Sequence, residues 1–289
     1  MVNTVENSLQ ARIEAAKSFL EKSIASEDKL AISKAHAELA ALNLLDQRVN
    51  DARAGFRKSA KILKGTEAWG ELFNFHIERG KAYERVSRIP EASRAYRKAI
   101  TINREHNGGD ANETKALLYL GELLLRSKNT IKARRRLNQA EKLAKKISDE
   151  HNLIAIYAAQ SKCHLALSAY KKALDYGKRS RDLAIQLDQS TFELEATFAL
   201  GVVRYLSKDY SGAAYEFEKF QKRSEQLEIN DSFLEASEYL CQIYEKLGLP
   251  VKLSEIAQAA ITFAEENSPA QLPSFLAWQE KAALVASAT

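Results

Sequence analysis

The chain has 289 residues, a net charge of +5 from 43 Lys and Arg against 38 Asp and Glu, and only two cysteines. No basic start runs into an apolar stretch as in a secretory leader, and nothing approaches the ~18 apolar residues of a membrane helix. The expectation is a cytoplasmic protein with no transmembrane segment. Eleven glycines and four prolines leave little room for linkers, and the wealth of Ala, Leu, Glu, Lys and Arg favours helix over sheet.

The first expected element is an N-terminal helix over 5–25. From residue 28 onward a small residue recurs every 40 or 41 positions: Ala40, Gly80, Gly121, Ser161, Gly201 and Cys241. Each sits in a first helix, A, of a repeating unit. Twelve residues later a second helix, B, carries Ala52, Ala92, Ala133, Ala173, Ala213 or Leu253. Four further on stand Phe56, Tyr96, Leu137, Gly177, Phe217 and Ala257, and three beyond those Ser59, Ala99, Ala140, Ser180, Phe220 and Ala260. Spacings of four and three keep the B residues on one helical face. A glycine such as Gly121 costs about 1 kcal/mol in a helix. It is kept, on this reading, because helix B would otherwise collide with its side chain.

Turn signals agree with these boundaries. Pro90 and Pro250 stand where B helices begin, a position that tolerates a missing N–H. Asp110–Glu113, Ser190–Glu193 and Ser232–Glu235 have capping-box spacing at the starts of A helices. The junction "HNGGDAN" holds the one extra residue of the 41-residue interval. "SPAQ" at 268–271 opens a closing helix over 270–286, whose Leu276 and Trp278 are expected to cover the apolar end of the stack. The sum is fourteen helices: six hairpins over 28–266 between two flanking helices, in a single domain over 1–289.

The stretch "GKAYERVSRIPEASRAYRKAI" resembles a tetratricopeptide repeat, with Gly80, Tyr83, Ala92, Tyr96 and Ala99 matching its small–aromatic–small–aromatic–small pattern. The 40-residue length is similar to the long-helix variety found in Leu-Gly-Asn-repeat scaffolds and bacterial peptide-sensing regulators. The resemblance implies an all-α, right-handed superhelical α-solenoid whose concave groove, lined by A helices, binds an extended peptide. The asparagine with which the Leu-Gly-Asn scaffolds hold peptide backbone is absent: its slot holds Lys81, Glu122, Lys162, Val202 and Gln242. The fold carries over, and the known partners do not.

Nothing in the sequence supports an enzyme, and a non-enzymatic protein is expected. No metalloprotease, nucleophile-elbow, phosphate-loop or dinucleotide motif is present. His36 and His76 share a slot in successive units but lack companions at metal spacing, so no metal or cofactor is expected. His164 takes a core slot, and His106 and His151 fall in loops. Cys163 and Cys241 lie two units apart, too far for a disulfide.

Two surfaces remain as candidates. The groove is expected to present Asn74, Ile77, Lys81, Glu84 and Arg85, then Lys115, Leu118, Glu122 and Arg126. Next come Lys162 and Leu165, then Glu195, Phe198, Val202 and Tyr205, then Glu235 and Glu238. It would run from basic through apolar to acidic, matching a protein or peptide partner. Residues 1–185 carry 35 basic against 22 acidic residues, and the remainder 8 against 16. The second surface is a convex basic patch on B helices: Arg135, Arg136, Lys145, Lys146, Lys171, Lys172, Lys178 and Arg179. It suits nucleic acid, an acidic protein or a membrane headgroup layer; no aromatic residues interleave with its charges, so nucleic acid is the less favoured partner. The sequence leaves the oligomeric state open.

Overall fold

The computed structural model describes residues 2–227, 229 and 232–287, with side chains described from 8 to 284 apart from 228, 230 and 231. Among the described residues there is no strand. The helices are α1 (Val2–Ala25), α2 (Lys29–Leu45), α3 (Val49–Gly65), α4 (Trp69–Arg85), α5 (Ile89–Glu105), α6 (Asp110–Arg126) and α7 (Thr130–Lys146). They continue as α8 (Glu150–Ala166), α9 (Tyr170–Gln186), α10 (Ser190–Leu206), α11 (Tyr210–Gln226), α12 (Phe233–Leu247) and α13 (Pro250–Asn267). A 3₁₀ turn at Pro269–Gln271 leads into α14 (Leu272–Ser287). The fourteen expected helices are all present, and α2–α13 form the six expected A–B pairs.

The chain divides into two compact units, residues 1–152 and 153–289. In the first, α2 packs on α3, α4 on α5 and α6 on α7, while α1 lies on α2 and α5 on α6. In the second, α10 packs on both α9 and α11, α12 joins α11 to α13, and α14 closes on α13.

The eighteen B-helix residues named above are all buried, as are the six small A-helix residues. A Cβ built on Gly121 would lie 2.7 Å from Cδ2 of Leu137, and one on Gly201 would lie 2.9 Å from the Phe217 ring. The obstacle at each crossing is therefore a B-helix side chain sixteen residues on, rather than its backbone. The fourth pair inverts the arrangement. Ser161 stands opposite Gly177 and donates from Oγ to the carbonyl of Ala173 at 2.8 Å.

The connecting turns have a shorter period than the packing. Glu27, Gln47, Glu67, Ser87 and Asn107, and then Lys128, Ser148, Ser168, Asp188 and Lys208, all adopt a left-handed conformation with φ between 51° and 65°. These positions are twenty residues apart, with one interval of twenty-one. Each follows a helix, and seven of the ten, all but Glu27, Glu67 and Asn107, carry both bonds of a Schellman turn. Gln47 N–H donates to Leu44 O and Arg48 N–H to Asn43 O, as do Lys128 to Leu125 and Asn129 to Leu124. A and B helices thus end alike, and the 40-residue unit is two equal strokes of helix and turn. Gly109, at φ 89°, takes up the extra residue.

Two details differ from expectation. The three capping-box pairs do not form. Asp110 and Ser190 are the first helical residues, Ser232 caps no N–H with its side chain, and Glu113 instead accepts from Arg104. Side-chain caps occur at Asp28, which accepts from Leu30 and Ala31 N–H, and at Asp209, which accepts from Gly212 N–H. On α14, Phe275 and Ala282 are the buried residues, whereas Leu276 is 45% exposed. The 3₁₀ turn sets the helical phase, and Leu276, next to Phe275, faces away from α13.

Candidate functional site

In the first unit a cavity of about 430 Å³ opens between α2 and α4 over α3. Its walls are Ala37 and Ala41 from α2, Phe56 and Leu63 from α3, and Phe75 and Ala82 from α4. Small residues one turn apart on α2 make the room, and the aromatics of α3 and α4 line it. Asn74, Lys81 and Arg85 reach the same cavity. At its rim Lys34 lies 3.9 Å from Glu71 and Lys81 2.9 Å from Glu78. Arg79 also lines it. Its guanidinium carbon lies 5.7 Å from the ring centre of Phe56 and 5.6 Å from that of Tyr83.

A second cavity of about 320 Å³ joins α4 to α6. Here Tyr96 donates from its hydroxyl to Glu84 Oε2 at 2.7 Å, and Arg126 pairs with the same carboxylate. Burial, then the nearby Tyr119 and Glu122, push the Tyr96 phenol above its ordinary range, so it stays a proton donor. Lys81 Nζ lies 4.9 Å over the Tyr119 ring, and Glu122 lines the same hollow. Lys115 is half-buried on α6, and Arg85 is exposed.

Ile77 and Leu118 do not belong to this face. They are 1% and 5% exposed. The open row of α4 is Asn74, Glu78, Lys81 and Arg85, and Ile77 lies on the flank turned into the core. Sequence reasoning missed Ala37, Ala41, Phe75 and Arg79. The spacing of Ala37 and Ala41 on one face of α2 was the available signal.

In the second unit Lys162 and Glu195 are exposed, while Leu165, Phe198, Val202 and Tyr205 are half-buried. Lys162, Glu195, Phe198, Phe220 and Ile229 border a cavity of about 410 Å³. Phe198 is held edge-on by Phe217, Phe220 and Tyr239, with centroids 5.4, 5.3 and 6.0 Å away. The Tyr205 hydroxyl donates to Gln242 Oε1 at 2.8 Å. Glu235 is exposed, but Glu238 accepts from Trp278 Nε1 at 3.1 Å and from Ser274. The acidic end of the expected groove is therefore partly engaged by α14.

The expected basic patch falls on two helices, α7 in the first unit and α9 in the second. Arg135, Lys145 and Lys146 are exposed and Arg136 half-buried; Lys171, Lys172, Lys178 and Arg179 are all exposed. Several are neutralised locally: Lys145 by Glu141 at 2.6 Å, Lys146 by Asp110 at 2.6 Å and Arg179 by Asp175 at 3.0 Å. Arg136 is different. Burial and then Arg97, Arg104 and Arg135 lower its pKa, which marks a convergence of like charges on α5 and α7.

Burial lowers the imidazole of His76 to about 3, helped by Arg79, Lys98 and Lys64, and that of His36 moves in the same direction. His164 is buried and stacks on Tyr176 at 5.3 Å. Cys163 and Cys241 are both buried and form no disulfide, and burial pushes the Cys241 thiol up to about 12. Among the described residues no group of three or more His, Cys, Asp or Glu is placed to hold a metal. Among them, too, no helix is long and apolar enough to cross a membrane.

No protein-family profile matches the sequence. The chain is 23% identical over 209 residues to the outer dynein arm-docking complex subunit 4 of Mus musculus, covering 68% of this chain and about a third (33%) of that protein. It superposes with a TM-score of 0.65 on a signal transduction ATPase with numerous domains from Pyrococcus horikoshii, which has a tetratricopeptide repeat sensor. That match is 16% identical and covers 94% of this chain and 43% of the other. A Rap conjugation gene regulator of the plasmid pLS20, solved in complex with a Phr peptide, gives a TM-score of 0.57 at 16% identity over 92% of this chain and 76% of its own. Helical hairpins with a small residue at each A–B crossing, together with these likenesses, give the chain the tetratricopeptide-repeat fold.

Proposed function

We propose that the chain is a non-enzymatic cytoplasmic adaptor that binds an extended protein segment across its A helices. The observation that carries this is the pair of adjoining cavities along α2, α4 and α6, the first apolar and aromatic at its base, the second lined by Tyr96 and Tyr119, and both bordered by charged side chains. That is the surface chemistry of a site for a ligand with mixed side chains. The Rap regulator of similar fold, solved with a peptide, supports the same reading. In the second unit, Lys162, Glu195 and Phe198 offer another contact region. The test is affinity capture from a lysate with the parent chain and with Arg85→Glu, Arg126→Glu. Partners retained by the parent should be lost from the variant while its helical content is unchanged. Partners held equally by both would dispose of the groove.

A second reading is a module that contacts nucleic acid through its basic B helices. What favours it is the crowding of Arg97, Arg104, Arg135 and Arg136. Labelled single- and double-stranded oligonucleotides, titrated at two salt concentrations, separate the readings. An adaptor should bind them only at low salt, because each neutralised phosphate makes affinity fall with salt.

A further inference from the structure

We propose that the cavity between α2 and α4 seats one apolar side chain of the bound segment, and that Arg79 pairs with a carboxylate beside that side chain. This rests on the adaptor reading and adds the chemistry of the anchor. Three observations point to it.

The first is size and lining. A volume of about 430 Å³ falls within the range of ligand pockets. Its base is hydrocarbon from Phe56, Leu63, Phe75 and Ala82. An aromatic or long aliphatic side chain fits such a base, and a polar one would lose its water there without a partner.

The second is the state of Arg79. Its Nε is closed off from solvent and has no hydrogen-bond acceptor. No described carboxylate lies within ion-pair distance of its guanidinium, which rests on the faces of Phe56 and Tyr83. A guanidinium already partly stripped of water gains more from an incoming carboxylate than a fully hydrated one does.

The third is the charge balance of the rim. Lys34 is matched by Glu71 and Lys81 by Glu78. Those pairs leave Arg79 and Arg85 against Glu38, an excess of one positive charge. A single carboxylate completes that balance. A phosphate would bring a second negative charge towards Glu38.

The experiment uses the full chain and two matched probes, 4-phenylbutyrate and 4-phenylbutanamide, which share an aromatic tail and differ in charge. Binding is followed by NMR through the methyl groups of Ala37, Ala41 and Ala82. The acid should saturate these shifts and bind about fivefold or more tightly than the amide. In Arg79→Met, which keeps the stem over Phe56, acid and amide should bind alike. In Ala37→Leu, which fills the cavity from half-exposed α2 and leaves Arg79 in place, both should lose binding. Equal affinity of the two probes for the parent chain, or unchanged binding by Ala37→Leu, would overturn the proposal. Because the adaptor reading is judged separately, by partner capture with Arg85→Glu, Arg126→Glu, either can fail while the other stands.

Discussion

The ring of Tyr96 occupies the space that a side chain on Gly80 would need, so the two residues are one structural feature on two helices. The same pairing recurs between Gly121 and Leu137 and between Gly201 and Phe217. Alanine at position 80 would improve helix propensity by about 1 kcal/mol, but overpacking costs ~1–3 kcal/mol. Gly80→Ala should therefore destabilise the chain in urea unfolding. Tyr96→Leu should relieve part of that cost, giving a coupling of about 0.5–3 kcal/mol in a double-mutant cycle. Additive effects would show that the ring and the glycine do not share the space.

A second relationship is electrostatic. The Glu216 side chain is 3% exposed and accepts from Arg181 Nη1 at 2.8 Å, while Arg204 Nε lies 3.5 Å from its other oxygen. Arg204 is held in turn by Asp209 at 2.5 Å. Removing one member of a buried pair strands the other, which typically costs ~3–5 kcal/mol. Glu216→Ala should lower the urea midpoint by more than any exposed acid-to-alanine change in the same unit, such as Glu225→Ala. Similar midpoints for the two variants would show that the network is too solvated to matter.

The recurring crossings were legible in the sequence because volume complementarity leaves a mark: small opposite bulky, at one spacing, on a helical face. Ser161 with Gly177 shows why the pattern survives inversion. The half-period of the turns was not legible. Glu27, Gln47 and Ser87 hold left-handed backbone without glycine, so nothing at residue level announces it. Helix starts misled for a related reason. Schellman turns and direct entry into the next helix leave Ser190 and Asp110 inside the helix, where neither caps it. The groove residues were partly legible. A/B periodicity finds Lys81 and Arg85, but Ile77 lies close enough in phase to be mistaken for a lining residue. The α2–α4 cavity depends on Ala37 and Ala41 lining it together with Phe75, a meeting of successive hairpins with no motif of its own.

His76 makes stability depend on pH in a definite direction. Burial first, and then Arg79, Lys98 and Lys64, hold its pKa at about 3, against an ordinary value near 6.5. The unfolded chain therefore binds the proton first, and its Nδ1 has no buried partner in the folded one. This contribution is fully present above about pH 6.5 and is lost as pH falls towards 3, at a rate approaching ~1.4 kcal/mol per pH unit. Carboxylates add their own dependence at the acid end, so the comparison is with His76→Leu. Between pH 6.5 and 5 the melting temperature of the parent should fall more steeply than that of the variant. Parallel curves would mean that the imidazole takes up its proton in the folded chain.

The last prediction distinguishes binding from folding in the groove. Tyr205 is among the expected groove residues, but its hydroxyl is bonded to Gln242 and its ring lies 5.3 Å from Tyr239. Tyr205→Ala would therefore remove packing as well as any contact with a partner. Arg85 is the cleaner probe. It is exposed, borders both cavities of the first unit, and has no described carboxylate within ion-pair distance. Reversing an exposed charge of this kind should change stability by no more than about 0.5 kcal/mol. On a partner carrying acidic residues, Arg85→Glu should act mainly on encounter, slowing association and flattening its salt dependence. Surface plasmon resonance at two ionic strengths reads both quantities on any captured partner. A lower association rate at low salt that converges with the parent at high salt is the expected result. An unchanged association rate at both would move the binding surface away from α4 and towards the arginines of α5 and α7.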